Sequence, residues 1–542
     1  MKSSFHRMLS AFCLPFMLSC ATASTQDVFE GEGEQSVTLM SLPPEMRERV
    51  FSQSVLSQAD LLQLQRVSKD ICEESRQALM RSTATRPLES VNKTIIGLST
   101  ISFKEWLQAA HARGDKNWVL KLQEHDLLPL SRDFELEPLL PYLSVIREID
   151  AQNLRESLNF KPENFQRFMQ AISGLEGVKL RGASEQFSRL MIPLWKDFPN
   201  LRYIRFSLNF MTQARFNEIV EKCTQLEKVA FEGGRKSFIE DYRGLAKLKN
   251  LSHLNLRGVK LRSADLESIF SSCANLKVLH MSGRNLDESM TEDPKGSGLK
   301  TLASIAKLSQ LEELVMTDTE VNDAVLRQIV LGCPKLKHLD LRGSKKLRGA
   351  IQAISGLNHL ETLYLGYASI ASSGSEHPLT GLSGLQKLKY LDLSGISGIK
   401  ADDFVQIAEL PNLKQLVLSQ TAIDDLGLKA IAASCKSLED FELAECHGLS
   451  ADALTSLAGL SELTFLDLCG VGVNDNVLAV LIPALPKLHR FHMDKFIDAK
   501  GDGWNLLNKK FYKGLVGHLY TTNSSGLYSL SPTLKIPNHW DY

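Results

Sequence analysis

Cysteine is sparse, nine in 542 residues, and no two form a C-x-x-C pair. So few thiols at such spacings cannot frame a disulfide scaffold or a structural zinc module. Charge of one sign is lacking as well. The 62 Lys and Arg against 63 Asp and Glu leave a formal −1, so no overall field exists to hold nucleic acid or an anionic membrane surface, and no nucleic-acid partner is expected. No apolar run is long enough to span a bilayer. Enzyme signatures are missing too: there is no G-x-x-x-x-G-K-[ST], no H-E-x-x-H and no G-x-S-x-G. His489 and His492 have a metal-like spacing but read as plain surface of a strand. Neither metal nor cofactor is expected, and the chain reads as a non-enzyme.

The N-terminus carries the features of an export signal. Lys2 and Arg7 supply the positive region, Leu9 to Leu18 is apolar apart from Ser10, and Ala21-Thr22-Ala23 offers a cleavage site before Ser24. A competing reading makes Cys20 a lipidated first residue in an envelope-anchored protein, although Leu18 stands where a small residue is preferred. The sequence therefore divides into a signal peptide at 1–23, a polar spacer at 24–38, a small helical module at 39–76, a helical linker and cap at 77–170, repeats at 171–498, and a C-terminal cap with an irregular tail at 499–542.

The repeats dominate. L-x-x-L-x-L recurs thirteen times from Leu175 to Leu488, mostly at intervals of 24 to 26 residues. A short strand with its apolar residues on one face cannot bury that face alone. Stacking successive units closes a continuous core, with parallel strands inside and helices outside. Three residues before each strand lies an apolar slot holding Cys223, Cys273, Cys333 and Cys435 in four units and mainly bulky hydrophobes in the others; neighbouring units never both carry Cys. Thiols two or more repeats apart are beyond the reach of a disulfide and are expected to stay reduced. Cys446 takes a repeat position after a strand.

Cys333, Pro334, Leu336, Leu339 and Leu341 form a C-P-x-L-x-x-L-x-L core. With the strand exits VNDAVL, IDDLGL and VNDNVL, it resembles the cysteine-containing subclass of leucine-rich repeats, in a mixed form. The resemblance implies an α/β solenoid, and that subclass is common in substrate-recognition subunits of ubiquitin ligases. Upstream, residues 41–75 resemble an F-box: Leu42-Pro43, Glu45, Val50-Phe51, Leu56, Asp60-Leu61, Leu64 and Val67-Ser68-Lys69 fall in the motif's order. That family binds the Skp adaptor of a cullin-RING ligase. By resemblance Leu42, Pro43, Val50, Phe51, Leu56, Leu61 and Leu64 form or support the adaptor surface. As bare residues they are equally the inner faces of three small helices.

Function is then expected on the concave strand face, whose central residues lie between the pattern leucines and are expected to stand exposed. Arg202, Tyr203, Arg205 and Arg257 mark a basic end, Glu439, Glu442 and Asp467 an acidic end, and Tyr364, Tyr367 and Tyr390, with Asp392, the middle. Such a bipolar face with an aromatic centre suits a protein partner of opposite polarity. The reading is an adaptor that captures a target protein and delivers it to a ligase, in a eukaryotic host if the chain is exported there. The alternative is an exported periplasmic or surface-attached binding protein whose helical module is only a cap.

Overall fold

The computed structural model describes residues 140–511 with short gaps, a strand at 518–522, and isolated stretches between residues 95 and 121. The signal-like segment with Cys20 and the whole F-box-like module lie outside the described residues. The chain divides into two units, Met1–Trp118 and Val119–Tyr542, and the second carries the repeats.

Each repeat contributes one short strand. In order they are β1 Ile146–Asp150, β2 Gly177–Lys179, β3 Tyr203–Ser207, β4 Lys228–Glu232, β5 His253–Asn255, β6 Val278–Ser282, β7 Glu313–Thr317, β8 His338–Asp340, β9 Thr362–Tyr364, β10 Tyr390–Asp392, β11 Gln415–Val417, β12 Asp440–Glu442, β13 Phe465–Asp467, β14 Arg490–Asp494 and β15 His518–Thr522. Every strand pairs in parallel with the next, and the pattern positions stay in register. Leu339 faces Leu314 on one side and Leu363 on the other. The three pattern leucines of a unit, such as Leu336, Leu339 and Leu341, are buried. Removing a leucine side chain from water is worth about 1.5–3 kcal/mol, so the stacked columns supply the core.

The ladder reaches further than the leucine pattern does. β1 lies inside the segment expected to be helical linker and cap. Its Ile149 pairs with Val178, and Ile146, Ile149 and Ala151, all buried, take the places of the three leucines. Beyond Leu488, the helix Asp502–Phe511 and β15 add another turn where a cap and irregular tail were expected.

Outside the sheet, ten-residue α-helices such as Gln213–Lys222, Ser263–Ser272, Asp323–Gly332 and Asp425–Ser434 tend to alternate with 3-10 turns such as Ile192–Asp197, Arg243–Lys247, Ser304–Lys307 and Ala401–Glu409. The cysteines follow this alternation. Cys223, Cys273, Cys333 and Cys435 each close one of the four α-helices. Each Sγ donates to a carbonyl of the preceding 3-10 turn: Trp195 at 3.4 Å, Leu245 at 3.7 Å, Ile305 at 3.4 Å and Ile407 at 3.7 Å. Those carbonyls already accept the N–H three residues on, so the thiol uses the second lone pair. A cysteine in this slot thus goes with a 3-10 turn behind it, which accounts for their absence from neighbouring units. Leu485, after the helix Asp475–Ala484, is the exception and fills the slot as a hydrophobe.

The doublets in VND, IDD and VND act as paired caps. Asn322, Asp424 and Asn474 accept from the third N–H of their own helices. The aspartate that follows reaches to the next repeat: Asp323 to Gly349 N, Asp425 to Ser450 N, and Asp475 to Trp504 N, all at 2.8–2.9 Å.

After the strands, Asp318, Gly343, Tyr367, Gly395, Gln420, Glu445 and Gly470 hold one position in successive repeats, all with positive φ. From Asp318 through Glu445 the N–H donates to a carbonyl of the next repeat, for example Tyr367 N to Ser394 O at 2.6 Å and Glu445 N to Cys469 O at 2.7 Å. This second ladder extends the pairing beyond the three-residue strands. Four non-glycine residues tolerate the left-handed conformation there, at about 1–2 kcal/mol each.

Candidate protein-binding face

The strand centres present one row across the inner face. The repeat stacking places their side chains about 4.8 Å apart, and long neighbours cover one another. Arg205, Tyr364, Asp392 and Glu442, expected to stand exposed, are instead 8%, 3%, 1% and 4% exposed. Tyr364 lies in register between Asp340 and Asp392, and the Arg342 guanidinium sits 5.2 Å from its ring centroid. Tyr203, Arg257, Tyr390 and Asp467 are half-buried. Tyr367 alone among the three tyrosines is well exposed, at 53%.

The basic-to-acidic gradient is also partly taken up by ion pairs, most of them between adjacent strands. Lys179 meets Glu148 at 2.8 Å, His280 meets Glu313 at 2.6 Å, Arg342 holds Asp340 at 2.7 Å, and His492 meets Asp467 at 3.2 Å. Burial pushes the His280 pKa down, against the pull of Glu313. Burial likewise lowers that of Arg257. Asp467 is pushed up by burial, but His492 and the Cys469 N–H outweigh this and hold its carboxyl below the ordinary value.

Arg202 and Glu439 belong elsewhere. The residue after the first pattern leucine forms a column along the strand-entry edge, and its sign alternates over two stretches: Arg147, Glu176, Arg202, Glu227, then, after Ser252, Lys277, Glu312, Lys337, Glu361 and Lys389, before Lys414 repeats the sign and Glu439 follows. Arg202 pairs with Glu227 at 3.4 Å, Lys337 with Glu312 at 2.6 Å, Lys389 with Glu361 at 2.7 Å, and Lys414 with Glu439 at 2.6 Å. Arg202 and Glu439 are rungs of this ladder, each paired with a neighbouring strand's residue at the edge of the sheet. The alternation was readable in the sequence once residues were aligned on the first leucine.

On the opposite edge Tyr367 lies over Gly395, where an added Cβ would come within 2.4 Å of its ring. Its hydroxyl donates to Gln420 Oε1 at 3.2 Å. Gln420 in turn lines a shallow groove with Ile396, Ile399, Thr421, Ala422, Glu445, His447 and Gly448. No leucine or charge pattern marks Tyr367 as strained; the glycines at the equivalent positions 343, 395 and 470 were the available signal.

The six described cysteines are buried. Burial pushes Cys223, Cys273 and Cys435 up to about 11 and Cys333 to about 12, so these thiols are poor nucleophiles. Among the described residues no helix is long and apolar enough to cross a membrane.

Parallel strands in register, pattern leucines inward and helices outward settle the architecture. The fold is a leucine-rich-repeat solenoid. The family model described as Leucine Rich repeat matches residues 409–432. An F-box/LRR-repeat protein of Arabidopsis thaliana is 27% identical over 135 residues, a match covering 24% of this chain and 41% of that protein. Among solved structures, an internalin of Listeria monocytogenes aligns with a TM-score of 0.43 at 18% identity, over 66% of this chain and 89% of that one. A leucine-rich-repeat protein of Leptospira interrogans aligns with a TM-score of 0.38 at 17% identity, over 71% and 98%.

Proposed function

We propose that the chain is a non-enzymatic protein-binding adaptor. Its solenoid captures a target protein, and its F-box-like segment recruits a Skp adaptor of a cullin-RING ubiquitin ligase, in a eukaryotic host. The observation carrying this reading is the order of residues from Leu42 to Lys69 ahead of a long leucine-rich-repeat solenoid. The partial likeness to a plant F-box/LRR-repeat protein supports the same combination. The unbroken inner face supports the capture half, because a rigid row of hydrogen-bonding and aromatic side chains is a low-entropy surface for another protein.

The adaptor half is tested by co-purification with a Skp adaptor and comparison of wild type with Phe51→Ala. Retention by wild type and loss in the variant are expected. Equal failure of both refutes recruitment. The export-like N-terminus favours a second reading, a periplasmic or surface-attached binding protein. Finding the mature chain in the bacterial envelope and absent from host cytosol favours that reading over the adaptor.

A further inference from the structure

The turns that follow the strands change character partway along the solenoid. Each begins at the position of positive φ. The turns Asp318-Thr319-Glu320 and Gly343-Ser344-Lys345 are charged, whereas the next five, starting at Tyr367, Gly395, Gln420, Glu445 and Gly470, read Y-A-S, G-I-S, Q-T-A, E-C-H and G-V-G. Glu445 is the one formal charge at pH 7 in these five turns, in a chain that is 23% charged, and it already lies 3.2 Å from His447. Loss of charge around an exposed aromatic is the composition of an interface core, not of ordinary surface.

The strip also has room. The groove beside Gln420 measures about 860 Å³, within the range of clefts that hold ligands. Ile396 and Thr421 are buried in its floor, Ile399 is half-buried and Ala422 is exposed. Tyr367, 53% exposed, stands at one end and is tied to the groove by its hydroxyl bond to Gln420. Shallow and open along the edge of the sheet, this space suits a length of chain better than a small molecule.

Backbone conformation points to the same place. Of the four described non-glycine residues with positive φ, Tyr367, Gln420 and Glu445 border the groove, and Gly343, Gly395 and Gly470 hold equivalent positions without a side chain. A left-handed L residue costs more than the exposed bond from Tyr367 to Gln420 returns. These side chains are therefore kept at the rim at a net cost to folding, as strain is kept at binding sites.

We propose that this strand-exit edge, centred on Tyr367, Ile399 and Ala422, captures the target protein, and that its occupant is an extended, uncharged segment of that protein carrying aliphatic side chains. This rests on the protein-capture reading above and names the surface and the chemistry that serve it. Charge decides the occupant. A Lys, Arg, Asp or Glu brought onto the strip loses its water and meets at most one counter-charge, already engaged. An aliphatic side chain gains by covering Ile399, Ala422 and the Tyr367 ring.

The test pans the full chain with a phage-displayed library of random peptides and measures the recovered peptides by fluorescence anisotropy. The peptide positions that matter in an alanine scan should be aliphatic and uncharged. Ala422→Glu and Ala422→Lys, at an exposed position, should both weaken binding by about tenfold or more, as should Tyr367→Ala. Lys345→Glu, on the same edge two turns earlier, should leave binding unchanged. Circular dichroism and the urea midpoint verify the fold of each variant. Peptides bound equally by wild type and both Ala422 variants overturn the edge as the site and leave protein capture standing. Charged peptides whose loss on one Ala422 variant is matched by a gain on the other overturn the uncharged chemistry. A wild-type chain that dimerises in light scattering, with Ala422→Glu monomeric, assigns the edge to self-association and overturns the proposal. A library that yields no binder overturns both the edge and protein capture.

Discussion

Replacing Gly395 with alanine probes the turn column from two directions. Its φ of 55° lies in the left-handed region, where an L side chain costs about 1–2 kcal/mol. The new Cβ would also approach the Tyr367 ring to 2.4 Å, so the ring must lift. Lifting breaks the hydroxyl bond to Gln420, an exposed contact worth about 0.5 kcal/mol, and forfeits the ring's packing. Together these give a loss of about 2–3 kcal/mol for Gly395→Ala. In Tyr367→Ala/Gly395→Ala only the backbone cost remains on top of the tyrosine deletion, so the cycle should show coupling of about 1 kcal/mol. Urea unfolding of the four proteins at a common m-value measures this. Additive effects would refute the account, because the ring would then have been moving freely over the glycine.

Other outcomes follow from the same geometry. Gln420→Gly relieves a positive φ of 60° but loses the acceptor for Tyr367, and should stabilise the solenoid by less than about 1 kcal/mol in the same urea assay. Cys223, Cys273, Cys333 and Cys435 should resist alkylation at pH 8 in the native chain and react after denaturation, as read by peptide mass spectrometry; rapid native labelling would contradict their burial and raised pKa values. Asp392 and Asp467 should respond to pH in opposite senses. The folded pKa of Asp392 lies above the unfolded value, so its ionisation opposes folding, and Asp392→Asn should raise the urea midpoint at pH 7 with the gain vanishing below the ordinary carboxylate range. The folded pKa of Asp467 lies below it, so Asp467→Asn should destabilise at pH 7, and that loss should fade as pH falls through the folded value. Lys337→Glu places a third carboxylate between Glu312 and Glu361 and should cost about 0.5–1 kcal/mol at low salt, less at high salt.

Much of the fold was legible because leucine is a strong marker of the inward positions. The pattern failed where other residues do the same work. Ile146, Ile149 and Ala151 fill a complete repeat without a leucine among them, so the first strand was read as linker. The inner face was harder. Alternation tells which side a residue leaves the strand, but not whether its neighbours will pair with it. Arg205 and Glu442 were therefore taken as surface, though they are buried, and Arg202 and Glu439 as poles, without their pairing along the edge. Asp392 was legible only as one acid among several. Its distinction, a buried carboxylate held by Ser394 rather than by an ion pair, depends on local contacts that a strand pattern does not carry. Tyr367 was noticed as an aromatic, while its backbone strain had no trace in its own residue type.

The rungs of opposite charge along the strand-entry edge, together with thiols seated against 3-10 turns, make the recurring unit larger than one repeat. Over the stretch from Arg147 to Glu227, and again from Lys277 to Lys389, like residues return every second strand. Loss of one repeat within either stretch would bring two charges of the same sign together, whereas loss of an adjacent pair would leave a matched seam. Within those two stretches repeats can therefore be removed or added with a matched edge only in twos, a local parity that the leucines do not reveal.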